Sequence, residues 1–189
     1  MNKILVLIIS ISIFITSCTK NGNPKPREYF RITMPLKTYQ DYNTDCPYFF
    51  RYPNYANILP DKDANTEPCW ININLPTFKA KIYISYKTID NNIEKLTEDS
   101  RTLAYKHNIK ADAINEILIE NNEAKVYGIY YQIKGNAASP AQFYLTDSIK
   151  HFLRGSLYFD VNPNKDSLAP AIDFLVSDID TLINSFYWK

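Results

Sequence analysis

Residues 69–86 read CWININLPTFKAKIYISY. In the first half Ile71, Ile73 and Leu75 alternate with Trp70, Asn72 and Asn74. In the second half Ala80, Ile82, Ile84 and Tyr86 alternate with Lys81, Tyr83 and Ser85. A period of two places each apolar set on one face of a strand. Pro76 ends the first run, and the short Pro76–Thr77–Phe78 link folds the second back as an antiparallel hairpin.

The same signals extend outward. Tyr48 to Tyr52, stopped by Pro53, reads as an earlier strand. Ile114–Glu120 and Ala124–Lys134 flank Asn121–Asn122 as a second hairpin. Ala141–Thr146 and Ile149–Val161 flank Asp147–Ser148 as a third, and Asn162–Pro163–Asn164 closes the sheet. Asp90 to His107 reads as a helix on Ile93, Leu96, Leu103 and Ala104, with Asn91 and Glu94 spaced as a capping box. Leu168 to Phe186 reads as a second helix on Leu168, Ile172, Leu175, Ile179, Leu182 and Phe186. Ser167 is the expected cap, with Pro170 inside the first turn. The order β-β-β-α-β-β-β-β-α predicts an α+β fold, a mainly antiparallel sheet packed with two amphipathic helices. It fills one domain, residues 29–189.

The chain has 189 residues, 46% hydrophobic and 22% charged, enough for one full core. Lysine and arginine total 21 against 20 acids, and no basic stripe is present, which argues against nucleic-acid binding. Only 4 glycines accompany 15 tyrosines, a balance that disfavours Gly-rich nucleotide loops and favours strands.

The first residues are an address. A basic Met1-Asn2-Lys3 precedes the apolar run Ile4–Ile15 and then Thr16-Ser17-Cys18. The apolar run would span about 18 Å as helix, short of the roughly 30 Å hydrocarbon layer, so residues 1–17 read as a cleaved signal. Ile15-Thr16-Ser17-Cys18 resembles a bacterial lipobox, whose cysteine carries lipid such as palmitate. Ser17 departs from the commonest pattern and resembles the looser lipoboxes of Bacteroidota. A plain signal with an incidental cysteine is the rival, but a free thiol at a mature terminus would be reactive. Removing residues 1–17 takes away Lys3 and no acid, leaving 20 bases and 20 acids. Residues 18–28 form a polar tether.

Cys46 and Cys69 remain. An even pair in an exported chain reads as a disulfide. The alternative, a metal or reactive pair, lacks a second CxxC-type partner and neighbouring histidines. No metal and no cofactor is expected.

Chemistry is sparse. His107 and His151 are the only histidines, and HExxH, GxSxG and Walker patterns are absent from the sequence. Two polar stretches offer a candidate partner or ligand surface: His107, Lys110 and Asp112, then Asn136, Ser139, His151 and Arg154. The competing reading is a solvated helix end and loop. On one strand His151 and Arg154 point to opposite faces, which weakens a catalytic pair. The chain is expected not to be an enzyme.

Residues 68–87 (PCWININLPTFKAKIYISYK), 98–114 (EDSRTLAYKHNIKADAI), 134–159 (KGNAASPAQFYLTDSIKHFLRGSLYF), 162–170 (NPNKDSLAP) and the terminal Phe186-Tyr187-Trp188-Lys189 resemble the gliding motility lipoprotein GldD family of Bacteroidota. That resemblance implies an exported lipoprotein required for gliding and linked to type IX protein secretion. The element order also resembles the PsbP-like α/β sandwich, whose members act mainly as accessory subunits. The expected partners are the membrane, through the lipid, and other gliding or secretion proteins of the envelope, bound through an aromatic patch near Trp70 or Tyr83. The tail after Cys18 lacks an acidic cluster resembling a surface-export signal, so the expected location is the periplasm-facing side of the outer membrane. Alternatives are a module binding peptidoglycan or another glycan, and an envelope hydrolase using His107 or His151.

Overall fold

Alternation in the opening stretch becomes two paired strands in the computed structural model, which describes residues 33–63 and 65–189. The expected signal, the expected lipidation site Cys18 and the expected tether lie outside the described residues. Ile71–Leu75 (β4) and Ala80–Thr88 (β5) pair antiparallel, with Ile73 opposite Ile82. Pro76–Phe78 forms a 3₁₀ turn between them, closed by Lys79 in the left-handed region at φ 48°. The remaining strands are Tyr39–Tyr42 (β1), Tyr48–Pro53 (β2), Asn57–Pro60 (β3), Ala111–Asn121 (β6), Val126–Gly135 (β7), Ala141–Thr146 (β8), His151–Phe159 (β9) and Tyr187–Trp188 (β10). The helices are Ile93–Tyr105 (α1) and Lys165–Asn184 (α2).

Seven strands form one antiparallel sheet in the order β3-β4-β5-β9-β8-β7-β6. β1, β2 and β10 form a second, three-stranded sheet. Both sheets and α2 share one core: Tyr48 and Phe50 from β2, Ile73, Ile82, Leu153 and Leu157 from the large sheet, Leu175 and Ile179 from α2. A fully buried side chain of this size contributes about 1.5–3 kcal/mol of transfer free energy. On β7 the neighbouring residues Tyr130 and Tyr131 fall in different clusters, Tyr130 with α2 and Tyr131 with Ala104 of α1. The two helices therefore cover opposite faces of the large sheet. The α+β class holds.

Several boundaries differ from the sequence reading. The expected strand at Tyr48–Tyr52 is β2, but it belongs to the small sheet. β1, β3 and β10 were not expected. α2 starts three residues earlier than predicted: Asn164, not Ser167, is the cap, and its Oδ1 accepts the Ser167 backbone N–H at 3.1 Å. Pro170 consequently sits in the second turn, within the helix. α2 ends at Asn184, so that Phe186 leads into β10 instead of ending the helix. The Asn91–Glu94 capping box does not form. Asn92 is the cap, and its Oδ1 accepts from Asp90 N–H. The Asn121–Asn122 hairpin uses a longer turn, Asn122 to Lys125, with Lys125 at φ 52°.

Cys46 and Cys69 are joined in a disulfide, with Cα atoms 5.6 Å apart. The bridge ties the approach to β2 in the small sheet to the approach to β4 in the large one.

Candidate functional site

On β9 the even-numbered residues face α1, while Leu153 and Leu157 point into the α2 core. The register sets Arg154 beside Ser85, and Ser156 beside Tyr83, so these four side chains share the α1 face. Between that face and α1 lies a groove of about 640 Å³, with Trp70 and Tyr158 along its walls and Leu96 and Ser100 on the helix side. Trp70 is fixed by its indole N–H, which donates to Tyr86 O at 2.6 Å, and Lys87 Nζ stands 5.4 Å from the Trp70 ring centroid.

Arg154 lies within this groove. One guanidinium N–H donates to Gln142 Oε1 at 2.5 Å. Gln142 is buried, and its Nε2 has no partner among the described residues. Burial pulls the Arg154 pKa below the ordinary arginine range, with Tyr158 opposing. His107 stands just beyond α1, its ring 6.2 Å from that of Tyr158. Its pKa is lowered, first by burial and then by the charge of Arg154.

The other expected residues do not join this site. His151 lies on the opposite face, 7% exposed and stacked on Trp188 with ring centroids 5.2 Å apart. Its Nδ1 meets Tyr86 Oη at 2.8 Å. Burial lowers its pKa, Asp147 opposes that shift and Lys150 adds to it. The parity of β9 thus separates His151 from Arg154. The expected shared surface of His107, His151 and Arg154 is corrected: His107 and Arg154 are neighbours, and His151 is walled off by the sheet.

Lys110, Asp112 and Asn136 form a third place, a latch at the end of the β6–β7 pair. Asn136 N–H donates to Lys110 O at 3.0 Å, and Asn136 Oδ1 accepts from the Lys165 N–H at 2.8 Å. Lys165 Nζ reaches Asp112 Oδ2 at 2.7 Å. Gly135, at φ 107°, lets the chains approach, since a Cβ there would sit 2.6 Å from the Asp112 nitrogen. The latch fixes the start of α2 to the sheet. Ser139 is fully buried and cannot face a partner.

One exposed element escaped the sequence reading as a site. β6 is an edge strand running from Ala111 to Asn121, and among the described residues no strand pairs with its outer side. Ile117 is 43% and Leu118 74% exposed, one on each face of the strand. The hollow beside them is lined by Glu120, Glu123 and Asp180 and by no lysine or arginine. Its signal was an apolar run, Ile117-Leu118-Ile119, too continuous for a strand covered on one face only.

The family model described as gliding motility lipoprotein GldD matches residues 19–188. No curated protein matches the chain. Among solved structures, cyanobacterial PsbP (CyanoP) from Synechocystis sp. PCC 6803, determined in solution, is similar over 82% of this chain and 95% of that one. The TM-score is 0.52 at 16% identity, a likeness of fold.

Proposed function

Since the chain belongs to the gliding motility lipoprotein GldD family, we propose that it is a non-catalytic accessory component of the gliding and type IX secretion machinery, acting by binding another envelope protein. Its family makes it a lipid-anchored protein of the cell envelope. Cys18 is the residue we assign to the lipid, and the periplasmic side of the outer membrane is the placement we favour. Digestion of the protein by protease added to unbroken cells would overturn that placement.

The open edge of β6 carries the binding proposal. An unprotected strand edge presents a row of backbone donors and acceptors that a partner strand can complete. Ile117 and Leu118 offer apolar contact on both faces of such an added strand. Glu120, Glu123 and Asp180 favour a partner segment with basic residues at one end. Leu118→Lys opposes that contact in charge and in polarity at a position that is 74% exposed. The expected result is loss of spreading on agar with an unchanged melting temperature. Normal gliding by a stably expressed variant would refute the reading.

A further inference from the structure

Among the described residues Arg154 has no acidic partner within ion-pair distance. The ion pairs among the described residues join Lys37–Asp178, Arg51–Asp41, Lys81–Asp160, Lys87–Glu67, Arg101–Glu116 and Lys165–Asp112. The acceptor found for its guanidinium is Gln142 Oε1, which leaves most of a five-donor fork unmatched. Arg154 is only partly buried, so water reaches the donors that remain, yet holding a cation there without an ion-pair partner still costs free energy. Arg154 nevertheless lines a groove of about 640 Å³, within the size range of small-ligand sites. Ser85, Ser156, Tyr158 and Trp70 line the same groove.

We infer that this groove is a binding site for an organic carboxylate, its carboxyl group held by the Arg154 fork and its body lying against Trp70. Arg154 would supply two parallel N–H donors, the geometry that a carboxylate accepts. Asp61, Asp63 and Asp99 also line the groove. None of them pairs with Arg154, but their charge opposes any anion and a doubly charged phosphate most, so the carboxylate proposed carries a single negative charge. Lys87 is already engaged with Glu67, so Arg154 is the cation that remains. The site lies on the α1 face of the sheet and does not depend on the β6 edge.

The test is a titration of the ¹⁵N-labelled full mature lipoprotein, in detergent micelles, with sodium benzoate, benzamide and sodium chloride. Benzoate is expected to shift the Arg154 Nε–H and the Ser85 and Ser156 amides saturably. Benzamide and equal ionic strength of chloride should leave them in place. Arg154→Met should weaken benzoate binding at least about tenfold, the loss of one charge-assisted contact. Equal responses to benzoate and benzamide, no saturable response, or an unchanged Arg154→Met would overturn the inference. Because Arg154→Met strands Gln142, the Gln142→Leu/Arg154→Met pair checks for a structural role. It should keep at least the wild-type melting temperature, and a marked fall would make Arg154 structural and refute the site. A tripeptide with a free C-terminus and N-acetylmuramic acid, each against its amide, separate a peptide source from a sugar-acid source. At least one should displace benzoate, and failure of both would count against the site.

Discussion

The Nζ of Lys37 lies 2.9 Å from Oδ1 of Asp178, fastening the segment before β1 to the middle of α2. Asp178 is 2% exposed and also accepts hydrogen bonds from Tyr39 Oη, at 2.8 Å, and from Tyr55 Oη. Lys37 further donates to the Phe174 carbonyl at 2.8 Å, and its ammonium stands 4.0 Å from the Phe174 ring centroid. Three widely separated parts of the chain thus converge on one buried carboxylate. Lys37→Met leaves that carboxylate with its tyrosine donors alone. The expected loss is about 2–3 kcal/mol, less than for a fully buried pair because the lysine keeps partial contact with water. Urea unfolding measures it, and an unchanged midpoint would show that the pair contributes nothing.

The disulfide closes a loop that holds Pro47, Pro53, Pro60 and Pro68. The chain-entropy account assigns about 3.4 kcal/mol to closing such a loop. Cys46→Ser/Cys69→Ser should lower stability by roughly that amount, read as a fall in the urea midpoint at constant slope. A loss confined to a few tenths of a kcal/mol would mean that the two sheets hold their arrangement without the bridge.

Acid should weaken the fold through His151. Its folded pKa is lowered from 6.5, chiefly by burial, so the native state favours the neutral ring. Below pH 6.5 the unfolded chain binds the proton more readily, and stability falls with pH down through the folded pKa. The charged and titratable groups around it are Asp147, Lys150 and Tyr86. His107 titrates in the same direction, so His151→Gln should flatten the pH dependence in part and His107→Gln/His151→Gln further. Unfolding midpoints measured between pH 7 and the acid limb test this. An unaltered slope in His151→Gln would contradict it.

Two glycines are set by close approach. A Cβ on Gly155 would lie 2.2 Å from Cζ of Phe143, and one on Gly128 would lie 1.9 Å from the carbonyl oxygen of Tyr144. Gly155→Ala pushes a buried ring and should cost about 1–3 kcal/mol. Gly128→Ala pushes the backbone of β8 and should cost more. Thermal melts of the two variants give the order directly, and the reverse order would show that the ring at Phe143 is the stiffer neighbour.

Local patterning carried much of the architecture. The alternation in residues 71–86 and the apolar stripe through Leu175, Ile179 and Leu182 locate β4, β5 and α2 with little ambiguity. What escaped the reading is short or non-local. β3 is four residues ending in Pro60, and β10 is two residues that exist because Tyr187 and Trp188 meet Phe49 and Tyr48 across the fold. The α2 cap was misplaced because Asn164 and Ser167 are both good caps, and only the extended backbone at Asn164 decides between them. At the candidate site, period-two parity separated His151 from Arg154. It could not bring Trp70 to Arg154, since that meeting requires β5 to pair with β9 across more than sixty residues of chain.

The binding role is tested most directly at Leu118. A photo-crosslinking residue placed there, and another at Ile149 as an equally exposed control on the β8–β9 turn, should behave differently in living, gliding cells. One dominant adduct with another envelope protein, identified by mass spectrometry, is expected from position 118 and absent from position 149. Identical adduct patterns from the two positions, or none from position 118 in cells that glide, would contradict it.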